Sequence, residues 1–110
     1  MHHFEIGNEI ETHRFTIVGA DRNTLTVDLF GHREGVHVAD YVRFVRALTE
    51  AYTRLDGRAE LVSEIGNALL TLTFKRGQVE VRLVRDRAVR AFRTNQSYVM
   101  PALAQIGIVE

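Results

Sequence analysis

The chain has 110 residues, and its formal net charge is zero at pH 7 when the five His are neutral. Apolar residues make up 45% and charged residues 25%, as in an ordinary globular protein. The absence of Cys excludes disulfides and thiolate metal sites. No apolar stretch approaches the roughly 20 residues that span a bilayer. We therefore predict one domain, residues 1–110, in the cytosol, with no membrane association and no cofactor.

Two alternating runs in the N-terminal third predict a β-hairpin. Residues 15–18 and 25–29 are rich in β-branched side chains, and residues 19–23 between them are typical of a turn. Leu25, Val27 and Leu29 share one face of the second run, which indicates a half-buried antiparallel strand. Residues 36–38 are predicted as a short edge strand.

A long amphipathic helix is predicted over residues 40–56. Asp40 is a candidate N-cap, and Gly57 is placed to end the helix in a left-handed turn. Apolar side chains recur at steps of three and four along one face. They are Tyr41, Phe44, Val45, Leu48, Tyr52 and Leu55.

The second half of the chain again alternates. We predict a strand at 59–62, a hairpin of 69–75 with 78–85, a turn at 86–87 and a last strand at 88–94. A short C-terminal helix, capped near Ser97 and ended by Gly107, would hold Val99, Met100, Leu103 and Ile106. The sequence shows no internal repeat.

The order of strands, helix, strands and helix predicts an α+β fold. Tight turns favour antiparallel pairing over the long crossovers that a parallel sheet requires. We expect a single antiparallel β-sheet, with the 40–56 helix packed on one face and the short helix at the C-terminal end.

Charge is distributed unevenly along the chain. Residues 1–12 carry a net charge of −3, and residues 75–93 carry a net charge of +5. On adjacent strands, Arg82 and Arg90 would present a basic face. Such a face fits a solvated outer sheet surface, a protein partner or nucleic acid. Because thirteen of the fourteen basic residues are Arg, bidentate recognition of carboxylates or phosphates is one interpretation and coding bias is another.

No pattern typical of catalysis or metal binding is present. The two serines, Ser63 and Ser97, do not lie in a G-x-S-x-G motif. The His spacing matches no metal motif, so a metal site would require His13, His32 and His37 to converge in space. We predict neither a catalytic nor a metal site.

Five segments together resemble the WapI-type immunity family. They are residues 38–48 (VADYVRFVRAL), 55–61 (LDGRAEL), 67–72 (NALLTL), 77–81 (GQVEV) and 92–98 (FRTNQSY), and the likeness covers residues 36–103. The chain departs from the family at Asn95, where an acidic residue is usual, and is shorter at 86–87. The resemblance implies a small cytosolic bacterial protein, related to immunity proteins encoded near polymorphic toxins. It implies no catalytic motif.

The sequence hypothesis is a non-catalytic protein-binding domain that occludes a cognate bacterial toxin, with Arg82, Arg90, Arg93 and Tyr98 as candidate binding residues. An acidic face on residues 5–11 that mimics phosphate is a variant of this hypothesis. The alternatives are a nucleic-acid-binding module that uses residues 75–93, and a structural domain that self-assembles as a homo-oligomer through an exposed strand edge.

Overall fold

The computed structural model describes residues 2–29, 32–85 and 88–106, without the side chain of Arg85. The described part contains two four-stranded antiparallel sheets, with strands in sequential order in each, and two α-helices. The first unit comprises β1 (His2–Gly7), β2 (Thr12–Ala20), β3 (Thr24–Leu29), β4 (His32–His37) and α1 (Val38–Arg54). The second comprises β5 (Asp56–Val62), β6 (Ala68–Lys75), β7 (Gln78–Arg85), β8 (Ala88–Asn95) and α2 (Gln96–Ile106).

The prediction of a single sheet is therefore wrong. Alternation along each strand defines a buried face, but it does not determine whether two groups of strands join edge to edge. Here α1 packs against β5, at the edge of the second sheet. At the edge of the first sheet, the Glu64 N–H donates to the Gly35 carbonyl oxygen of β4 at 2.8 Å. The two sheets consequently remain separate.

Both predicted hairpins are confirmed. β2 pairs with β3, and β6 pairs with β7 in a continuous register from Leu70↔Leu83 to Lys75↔Gln78. The β6–β7 turn uses Arg76 and Gly77, with φ of 53° and 81°. The sequence analysis did not identify β1, in which Phe4 and Ile6 point into the core. The predicted turn at 86–87 and the predicted helix end at Gly107 lie outside the described residues.

The amphipathic helix is confirmed, but both of its predicted ends are wrong. The helix begins at Val38, with no side-chain cap from His37, and Asp40 lies in its first turn. At the other end, Leu55 takes the left-handed conformation, and its N–H donates to the Ala51 carbonyl oxygen. Gly57 lies in β5, where an added Cβ would come within 3.4 Å of the Ala51 Cβ. That distance is an ordinary van der Waals contact, so the φ of 123°, which side-chain-bearing residues rarely adopt, is what favours glycine here.

Each helix packs against the first strand of the other unit. α1 lies on β5, and α2 lies on β1, where the Glu5 N–H donates to Gln105 Oε1 at 2.8 Å. The fold thus repeats a four-strand-plus-helix unit that the sequence does not reveal. The core lies between the units and includes the stacked rings of Phe4 and Phe15, whose centroids are 5.1 Å apart, with Phe44 of α1 beside them.

Candidate protein-binding surface

The four predicted binding residues do not form one face. Arg82 pairs with Ala91 across β7 and β8, whereas Arg90 pairs with Leu83. Because directly paired residues share a face and successive residues alternate, Arg82 points outward and Arg90 points toward the core side. The predicted basic face of Arg82 and Arg90 is therefore wrong.

Arg90 joins the two sheets. Its Nε donates to Glu11 Oε1 at 2.9 Å, and the same oxygen lies 2.6 Å from His13 Nε2. The His13 ring stacks on Phe92, with centroids 5.4 Å apart. Hydrogen bonds from Arg90 and then from His13 lower the pKa of Glu11 below its usual 4.5. His13 is only 2% exposed, and through these contacts the cluster connects β2 with β8.

Two cationic side chains on the outer face of the second sheet are paired with neighbouring carboxylates. Arg82 Nε lies 3.3 Å from Glu80 Oε1, and Arg58 Nη2 lies 3.0 Å from Glu60 Oε2. Exposed pairs of this kind contribute little to stability, but they reduce the net charge that a partner meets. The strong positive charge of residues 75–93 in the sequence is therefore weaker on this face.

Uncompensated positive charge is instead concentrated at one end of the second sheet. Within residues 2–29, 32–85 and 88–106, leaving out the Arg85 side chain, five cationic side chains have no carboxylate of those residues within 4.0 Å. They are Arg22, Arg46, Lys75, Arg76 and Arg93. The last three line one shallow depression of about 320 Å³.

A second depression, of about 210 Å³, adjoins the first. Both include Arg93 and Gln78, and the second adds Tyr98, which is 39% exposed. The structure therefore brings together Arg93 and Tyr98 of the predicted set. We call the two depressions the Arg93 surface. Its polar and aromatic side chains include Lys75, Arg76, Gln78, Arg93, Asn95 and Tyr98, together with the carboxylates of Glu80 and Glu9.

The local fold explains the position of these side chains. The tight β6–β7 turn places Lys75 and Arg76 at the sheet end, and Arg93 pairs with Glu80 on the outer face. Asn8 Nδ2 donates to the Arg93 carbonyl oxygen at 2.9 Å, which fixes the β1–β2 turn beside β8. At the start of α2, Asn95 Oδ1 accepts the Ser97 N–H at 2.9 Å, and this cap sets the helix turn that carries Tyr98.

The chemistry of the Arg93 surface is that of recognition. Arg binds carboxylates and phosphates in a planar, bidentate manner, and Tyr supplies apolar area with a polar hydroxyl. No group of three or more His, Cys, Asp or Glu in the described part of the chain is arranged to hold a metal ion.

The candidate binding residues of the sequence analysis did not include Lys75 and Arg76, which the structure places beside Arg93, although the charge excess of residues 75–93 included both. Sequence reasoning also missed the connection of Glu11 and His13 to Arg90. That connection joins residues 79 positions apart, and no local pattern in the sequence signals it.

Comparison of the chain with protein-family models, with curated proteins and with solved structures finds no match. Of the helices in the described residues, none has the length and apolar character needed to cross a membrane.

Proposed function

We propose that this protein is a non-catalytic inhibitor of the immunity type, which binds a cognate bacterial toxin through the Arg93 surface and occludes it. The observation that carries the proposal is that Lys75, Arg76 and Arg93, none within 4.0 Å of a described carboxylate, line depressions beside the exposed ring of Tyr98. Two carboxylates share these depressions, and they are those of Glu80, which pairs with Arg82, and Glu9. The resemblance to WapI-type immunity proteins supplies the class of partner.

The composition of this surface suits a protein interface. Arg and Tyr are enriched among the few residues that contribute most to binding energy. Arg93 extends from an antiparallel strand and Tyr98 from a capped helix, so both are held by regular structure. Rigid anchors lose less conformational entropy on binding than side chains of mobile loops.

The charge of the Arg93 surface determines the chemistry expected of the toxin surface that binds it. A toxin that docks here should present carboxylates toward Arg93, Arg76 and Lys75 and an apolar contact toward Tyr98. A stable complex would bury about 800 Å² on each partner. The two depressions supply only part of that area. The neighbouring outer face around Arg82 would therefore lie at the rim of the interface.

Co-expression with the product of the neighbouring gene, followed by purification through a tag and mass spectrometry, is the first test. Recovery of one stoichiometric protein that is toxic when expressed alone, and harmless together with this chain, would support the proposal. Growth protection without a complex would contradict the occlusion mechanism.

Matched substitutions then locate the interface. Arg93→Glu and Tyr98→Ala should each weaken toxin binding by at least about thirtyfold, since anchor residues contribute about 2 kcal/mol or more. Arg22→Glu is the control, because Arg22 is also exposed and without a described acidic partner but lies in the β2–β3 turn. Equal effects of Arg93→Glu and Arg22→Glu, measured by calorimetry, would remove the assignment to this surface.

Nucleic-acid binding is the second candidate, since the same three cations can contact phosphates and Tyr98 can stack on a base. Three phosphate contacts with a single strand predict a slope of roughly −2 in the plot of log K against log salt concentration. Saturable, salt-dependent binding of an oligonucleotide, lost in Arg93→Glu, would favour this candidate over the inhibitor.

A further inference from the structure

A cavity of about 700 Å³ lies where β3 and β4 of the first sheet meet β6 and β7 of the second. It is at the opposite end of β6 from the Arg93 surface: Leu69 lines the cavity, and Lys75, six residues later and roughly 20 Å away, lines the surface. The volume is within the range of small-molecule sites. A ligand here would not compete with a partner on the Arg93 surface.

The cavity has an apolar floor and a polar wall. Leu29, Leu69 and Val84 form the apolar part. The wall includes Glu34, which extends from the core face of β4 because it pairs with the buried Val27. The Glu34 carboxylate is 21% exposed, and its Oε2 lies 2.6 Å from Nε2 of His32, which is 72% exposed.

The strand position of Glu34 has a counterpart in the second unit. Glu34 lies four residues before the first residue of α1, and Phe92 lies four residues before the first residue of α2. In the second unit, the Phe92 ring stacks on His13 and packs against the core. In the first unit, the corresponding strand position carries a carboxylate that borders an open cavity beside the small Ala68.

A carboxylate on a mostly apolar cavity selects a ligand of defined chemistry. A partly shielded carboxylate binds a cation more strongly than a neutral group, because charge-assisted hydrogen bonds gain strength away from bulk water. The exposed His32 is the only basic side chain among the described residues that lies within 4.0 Å of Glu34. A ligand ammonium can compete with His32 for the Glu34 carboxylate, because the His32 side chain is 72% exposed.

We propose that this cavity is a binding site for a small amphipathic amine, whose ammonium group contacts Glu34 and whose apolar body lies on Leu29, Leu69 and Val84. The site is independent of the toxin interface proposed above. Asn67, at the rim, supplies an additional polar group that orients the ligand.

The test uses the full chain and two probes of similar shape, phenethylamine and its neutral analogue 2-phenylethanol, titrated by ¹H–¹⁵N NMR. Phenethylamine should shift the amide signals of Leu69 and Val84 and bind about tenfold more tightly than the alcohol. Glu34→Gln should remove this preference, and Glu50→Gln, in an exposed ion pair with Arg54 on α1, should keep it. His32→Ala should increase the affinity for the amine, because it frees the carboxylate.

A cavity-filling variant distinguishes binding of the probes inside the cavity from their binding elsewhere on the protein surface. Glu34→Phe introduces the residue type that occupies the corresponding position in the second unit, and it should abolish binding of both probes while the spectrum remains that of a folded protein. Equal affinity for the two probes, an amine preference that survives Glu34→Gln, or no saturable binding of either probe would overturn the proposal.

Discussion

At the residue scale, the contact between Arg90 and Glu11 makes stability depend on pH. The pKa of Glu11 is lowered in the folded chain, chiefly by the Arg90 hydrogen bond and then by His13. A carboxyl whose folded pKa is depressed adds stability above its ordinary value of 4.5, and this contribution is lost as the pH falls through the lowered value. We expect Arg90→Met to reduce the melting temperature at pH 7, with a smaller reduction below pH 4.5. Thermal unfolding from pH 7 to pH 3 measures this difference.

Arg82→Met is the matched control, because Arg82 is also paired with a carboxylate but both side chains are exposed on the outer face. Exposed pairs contribute about 0–1 kcal/mol, so the control should change the melting temperature little at any pH. A loss in Arg90→Met that stays constant from pH 7 to pH 3 would show that Arg90 acts through packing and not through Glu11.

At the element scale, the end of α1 contains a correctable strain. Leu55 has φ of 58°, a conformation that costs a side-chain-bearing residue roughly 1 kcal/mol, and it is 39% exposed, so its packing is limited. Leu55→Gly should therefore raise the free energy of unfolding by up to about 1 kcal/mol, measured by urea denaturation. Arg54→Gly, one residue earlier and within the helix, should lower it by about 1 kcal/mol. Destabilisation by both variants would mean that Leu55 packing outweighs the strain.

The elements themselves were largely predictable, because they depend on local patterns. The hairpin of β6 and β7 follows from alternation and from the turn at Arg76 and Gly77, and the buried face of α1 follows from its periodicity. The ends of α1 were not predictable in this way. Gly57 has the usual chemistry of a helix terminus, but it lies in β5 with a φ of 123°, and Leu55 takes the left-handed position at the helix end instead.

At the scale of the whole molecule, the sequence could not distinguish one sheet from two. The edge of β4 is occupied by Glu64, and α1 packs against β5, and both contacts depend on the tertiary arrangement. The candidate site was predictable only in part for the same reason. Arg93 and Tyr98 meet because the β8–α2 junction is tight, whereas the inward direction of Arg90 depends on the strand register.

Each helix packs on the other unit, and this arrangement predicts that the two units unfold together. Val99 of α2 is fully buried where α2 covers β1 of the first unit, and α1 likewise covers β5 of the second. Val99→Ala should lower the free energy of unfolding by about 2 kcal/mol, since it removes two buried carbon groups and leaves a cavity. If the units are cooperative, native-state hydrogen exchange will show the same loss of protection in the central strands β2 and β6.

Met100→Ala is the control for this exchange measurement, because Met100 is the next residue of α2 but is 56% exposed. It should leave protection in both sheets almost unchanged. Loss of protection confined to β2 after Val99→Ala would show that the first sheet opens alone. In that case the packing of each helix on the other unit would fix only the relative position of the two units. The second sheet, with its Arg93 surface, would retain its structure while β1 and α2 separate.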